Sequence, residues 1–204
     1  MKDSRSPMKI AAAAFAVLFA GVAAAAPEVG QPAPPFSGTD SNGKTWSLES
    51  LQGKPVILEW TNDHCPYVVK HYESGNMQAL QREAADADYV WLSVISSAPG
   101  KQGAVNGEQA NALTVSRNAA PAAVLMDSDG SIGKAFGAQT TPHMFVIDET
   151  GTLVYMGGID DQPSTDQADV AIAENYVRLA MADRADGKPV QQAVTRPYGC
   201  SIKY

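Results

Sequence analysis

Apolar and polar positions along the chain sort into short buried strands, amphipathic helices and turns marked by glycine or proline. Val56, Ile57, Leu58 and Trp60, bounded by Gly53, Lys54 and Pro55, predict a buried strand. Residues 61 to 64 are polar, and Pro66 stands where a helix begins, because a first helical residue needs no N–H. That helix pauses at Ser74, Gly75 and Asn76, then resumes with Met77, Leu80 and Ala84 on one apolar face. Tyr89 to Ile95 reads as a second buried strand, Ser96 to Gly107 as loop, Glu108 to Asn118 as a short helix, and Ala122 to Met126 as a third strand. Asp127 to Gly130 is an Asp/Gly turn: it lacks the spaced ligands and closing Glu of a calcium loop.

The second half begins with a fourth strand from Thr140 to Asp148, entered through Pro142 and joined by a turn at Gly151 to an antiparallel partner, Leu153 to Met156. Gln167 to Asp183 then predicts the longest helix, with Val170, Ala173, Val177 and Ala180 in one stripe and Ile172, Tyr176 and Leu179 beside it. Gly187 and Pro189 end it. Ahead of the central strand, residues 27 to 35 are Pro-rich and residues 38 to 43 form a hairpin turn, giving an N-terminal β extension. Strands alternating with helices predict an α/β domain over residues 26–188, a mixed sheet covered on both faces, followed by a tail over residues 189–204.

Composition adds a compartment. Lys2, Arg5 and Lys9 precede an apolar run from Ile10 to Val22 that ends in alanines, the pattern of an export signal over residues 1–25, with Met8 as a second candidate start. Ile10 to Ala26 falls short of the ~20 residues of a membrane span. The leader holds three cations and Asp3, so its removal takes the 15 basic and 22 acidic residues to 12 and 21, a net charge of about −9. Such an acidic chain without a basic cluster excludes nucleic acid and anionic membrane as expected partners. A periplasmic or secreted location would let the two cysteines, Cys65 and Cys200, become oxidised.

The candidate chemistry starts at Cys65, at the N-cap of the helix that Pro66 opens. Unpaired N–H groups and the positive end of the helix dipole favour a thiolate there. His64 adjoins the thiol, and His143 follows Pro142. No Gly-rich phosphate loop follows a strand, so no organic cofactor is implied.

Strand, Cys65-Pro66, then Thr141-Pro142 opening a strand that ends at Asp148, followed by Gly151 and a hairpin, resemble the thioredoxin fold in its peroxiredoxin-like (AhpC/TSA) redoxin branch, from about Pro32 to Met181. The resemblance implies that Pro142 is cis and faces the active cysteine. It also shows departures. Val68 stands where thioredoxins have their second cysteine, and Asn62 where relatives carry either a cysteine or the Thr of true peroxiredoxins. Pro142 occupies the place of the peroxiredoxin Arg, leaving Arg117 or Lys70 as substitute cations. What the resemblance implies is an exported thiol oxidoreductase that reduces a peroxide or a protein or small-molecule disulfide. Cys65 would be the nucleophile and Cys200 the resolving thiol, with Thr141, Pro142, Trp60, Asn62, His64 and Tyr67 about the substrate, and a dithiol would donate electrons. Two alternatives stay open: an inert domain with a static Cys65–Cys200 staple, and a copper carrier using His64, Cys65 and His71.

Overall fold

The computed structural model describes residues 26–204; the leader expected over residues 1–25 lies outside them. Its centre is a five-stranded mixed sheet in the order β5-β4-β3-β7-β8. The strands are β3 (Val56–Trp60), β4 (Val90–Ile95), β5 (Ala123–Met126), β7 (His143–Ile147) and β8 (Leu153–Gly157). β3 runs parallel to β4 and antiparallel to β7, with Leu58 facing Leu92 on one side and Phe145 on the other. All five β3 residues are buried, as expected of a strand covered on both faces.

Alternate residues of β3 feed two cores. Val56, Leu58 and Trp60 join Phe36, Phe136 and Phe145 under the N-terminal hairpin and α4 (Ser131–Ala135). The hairpin, β1 (Ser37–Thr39) and β2 (Thr45–Ser47), is turned by Asp40, whose carboxylate accepts from the Asn42 and Lys44 amides and the Trp46 indole. On the other face Ile57 packs with residues of α1 (Pro66–Glu73), α2 (Asn76–Asp86) and α5 (Tyr176–Ala185). α3 (Gly107–Ser116) leans on β5 and starts with a capping box between Asn106 and Gln109.

Three expectations change. The helix over Gln167 to Asp183 divides into a 3-10 turn, Gln167–Ala171, and α5, which starts only after Asn175 caps it through the Arg178 amide. Ile172 is consequently 73% exposed, not buried beside the stripe. The fourth strand is interrupted at Pro142: β6 (Thr140–Thr141) leaves the sheet and only β7 continues in it. The tail ends in a strand, β9 (Cys200–Ser201), which pairs with β6.

Candidate active site

β3 delivers the chain to the loop at residues 61–64, and Asn62 shapes that loop. Its Oδ1 accepts the His64 amide at 3.0 Å, its Nδ2 donates to the Gln102 carbonyl at 3.2 Å, and its carbonyl accepts the Cys65 amide at 3.1 Å. Cys65 then takes the N-cap position in extended conformation, with Pro66 opening α1. The thiol is 0% exposed and donates to the Thr141 carbonyl at 3.0 Å. The Thr141–Pro142 peptide is cis. Thr141 pairs with Cys200 and Thr140 with Ser201, so the last residues lie across the sulfur as a short antiparallel strand.

More contacts hold that strand. Ile202 donates to Gln139 at 3.0 Å, Ala98 donates to Lys203 at 2.8 Å, and the Tyr204 hydroxyl donates to Ala138 at 2.9 Å. Gly199 has φ +139, and a methyl there would overlap the Thr141 carbonyl. Gly199→Ala is therefore expected to lift β9 and raise the alkylation rate of Cys65 at least tenfold, read by mass mapping; an unchanged rate would show that β9 does not shield the thiol.

Both cysteines are free thiols. Burial pushes the Cys65 thiol up, but hydrogen bonds from the Cys200 thiol, the Thr141 hydroxyl and the amides of Val68 and Cys200 outweigh it, so the thiol lies below its ordinary value. The S–H bond to the Thr141 carbonyl works the other way, since it needs the proton in place. Burial and the neighbouring Cys65 push Cys200 up to about 11. A fully buried, acid-shifted sulfur thus faces a partly exposed sulfur that holds its proton.

The Redoxin family model matches residues 28–176. The chain belongs to the redoxin family. Among solved structures, a hypothetical protein of Sinorhizobium meliloti aligns with this redoxin at 23% identity and TM-score 0.72, over 87% of this chain and 94% of the other. An uncharacterized conserved protein of Geobacillus kaustophilus aligns at 22% identity and TM-score 0.72, over 87% and 92%. A proposed protein disulfide isomerase of Bacteroides thetaiotaomicron aligns at 22% and TM-score 0.51, over 64% and 78%. These likenesses establish the thioredoxin fold; no curated protein matches.

The remaining candidate residues of the redoxin are dispersed. Trp60 lies in the opposite core, fully buried, with its indole N–H on Ser96 at 3.0 Å, and so belongs to packing and not to the substrate side. His64 points outward beside Asp63. Tyr67 stacks edge-on against Tyr198 of the tail, ring centres 5.7 Å apart. Arg117 donates to the Asp63 carbonyl at 3.1 Å and covers Tyr72, while Lys70 is buried and donates to the Gln162 carbonyl at 2.9 Å. Both cations are thus held by backbone carbonyls. The copper set does not converge: His71 turns inward, its Nδ1 accepting from Asn76 at 2.9 Å and its Nε2 meeting the Tyr198 hydroxyl at 3.1 Å.

Burial holds His71 down to about 3 and His143 down to about 4, so both are neutral at physiological pH. Below pH ~6.5 the unfolded chain takes up these protons and the folded chain does not, so the redoxin loses stability as pH falls toward 4. Each histidine contributes a slope of up to about 1.4 kcal/mol per pH unit. Urea titrations at pH 7 and 5 check this, and equal stability at both would contradict it.

The apolar pattern of β3 conceals one residue, Glu59. It is fully buried, and its carboxylate accepts from Trp91 and Ser93 at 2.9 Å each, from Tyr72 at 2.9 Å and from Gln81 at 3.2 Å. Burial raises its carboxyl above the ordinary range despite these donors. The only sequence signal was a lone acid inside an apolar run.

Proposed function

We propose that this redoxin is an exported thiol–disulfide oxidoreductase in which Cys65 and Cys200 cycle between dithiol and disulfide. The observation that carries the reading is the pairing of Thr141 with Cys200, which sets a second thiol against the N-cap thiol beside the cis-proline. A Cys65 thiolate attacks a substrate disulfide, forming a mixed disulfide and releasing one substrate thiolate. Cys200, on losing its proton, attacks the Cys65 sulfur, forms the intrachain disulfide and releases the second substrate thiolate. A thiol donor returns two electrons.

A disulfide suits the site better than a peroxide. Asn62 and Pro142 stand where the peroxiredoxin resemblance places a Thr and an Arg, and the substitute cations Arg117 and Lys70 donate to the Asp63 and Gln162 carbonyls. The test is turnover with dithiothreitol as donor on two substrates, a protein disulfide such as insulin and hydrogen peroxide. Faster insulin reduction that is lost in Cys65→Ser supports the reading. Peroxide consumption alone would move the chain to peroxide reduction, and turnover of neither would overturn an enzymatic role. Export rests on the sequence of residues 1–25 and is tested by sizing the mature N-terminus.

A further inference from the structure

A cleft of about 550 Å³ adjoins the β6–β9 pair that carries Cys200, a volume suited to a small molecule. Thr140 and Gly199, which flank the Thr141–Cys200 pair, form one end of it; Asp160, Asp161, Arg196 and Tyr198 line the rest. Both signs of charge are present. Arg196 enters no ion pair among the described residues. Asp161 gives one carboxylate oxygen to the Glu174 amide, at 2.8 Å. Asp160 is 2% exposed; its Oδ1 accepts from the Gln162 amide and the Tyr198 hydroxyl, while its Oδ2 is buried and accepts from no donor. That oxygen faces the buried His71 Nε2 at 3.9 Å, so Asp160 is held from within, and Asp161 is the acid that the cleft presents.

Access decides which sulfur such a ligand meets. Cys65 is sealed beneath β9, whereas Cys200 is partly exposed and adjoins Gly199. The geometry points to this cleft as the seat of a low-molecular-weight thiol of amino-acid type, its carboxylate on Arg196 and its ammonium on Asp161, which exchanges with Cys200 and not with Cys65. Guanidinium suits a carboxylate through two parallel N–H donors, and the Asp161 carboxylate suits an ammonium donor.

The inference rests on the proposed Cys65–Cys200 cycle and names the reductant that closes it. A small thiolate attacks the Cys200 sulfur of the intrachain disulfide, forms a mixed disulfide there and expels the Cys65 thiolate, the better leaving group of the two. A second small thiolate attacks the sulfur of the bound one, giving the free symmetrical disulfide and the Cys200 thiolate, which takes a proton. Two small thiols are oxidised and one intrachain disulfide is reduced.

The test runs the exchange in reverse on Cys65→Ser protein, so that it does not depend on an intrachain disulfide. Labelling of Cys200 is followed by mass with L-cystine and with bis(2-hydroxyethyl) disulfide, which lacks both charges. The expected result is at least about tenfold faster labelling by cystine, equivalent to one charge-assisted contact, with the preference lost in Arg196→Ala and reduced in Asp161→Asn while the uncharged reagent is unaffected. Equal rates for both reagents, or a preference that survives both substitutions, would overturn the cleft assignment. Failure of wild-type protein to form a Cys65–Cys200 disulfide would instead sink the cycle on which it builds.

Discussion

Cys65→Ser protein is expected to fold normally and to lose disulfide reductase turnover by at least about a thousandfold, because the attacking sulfur is gone and a serine hydroxyl is not ionised at neutral pH. Cys200→Ser should behave differently. Its Cys65 can still open a substrate disulfide, but no second thiol resolves the product, so the mixed disulfide at Cys65 accumulates and can be isolated. Cys200→Ala, which leaves no side-chain donor there, also removes one contribution that holds the Cys65 thiol down, so its alkylation should require higher pH than in wild type. Turnover of Cys65→Ser within tenfold of wild type would remove Cys65 from the chemistry and leave the fold assignment standing.

The largest stability effect is expected at Glu59. Glu59→Ala strips the acceptor from the Trp91 indole, the Ser93 and Tyr72 hydroxyls and the Gln81 amide at once, in the middle of the sheet, and leaves a void as well. Unpaired buried donors and a truncated core side chain together cost roughly 3–5 kcal/mol, a large part of the stability of a domain this size. Glu59→Gln retains the shape and one acceptor oxygen and should cost less. Denaturation in urea measures both, and a loss below about 1 kcal/mol for Glu59→Ala would mean that the four donors find other partners.

The sheet and the Cys65 turn were legible because their signals are local: β-branched runs for strands, and a Cys-Pro step after a polar turn for a capped helix. Long-range pairing left no such mark. Nothing in the residues from Val190 onward announces that Cys200 will register against Thr141, since two residues of β9 carry no alternation to read. The division of the helix at Asn175 was masked by alanines, which fit a helix stripe and an irregular loop equally well; the Asn175 cap decided it. Trp60 illustrates the opposite hazard. Adjacency to the site in sequence did not place it there, because strand alternation sends it to the other face from Ile57 and Glu59. Glu59 has no local signal either: an acid belongs in an apolar strand only when partners from distant segments enclose it, and Trp91, Ser93 and Gln81 lie far from it in the chain.

One measurement bears most directly on the two-thiol account: peptide mass mapping of fully reduced protein before and after one equivalent of a thiol oxidant. The account predicts a protein lighter by two hydrogens, a single Cys65–Cys200 crosslink, and complete reversal by a mild dithiol. Oxidation that stops on Cys65 with Cys200 untouched, or a crosslink that the dithiol leaves intact, would contradict it.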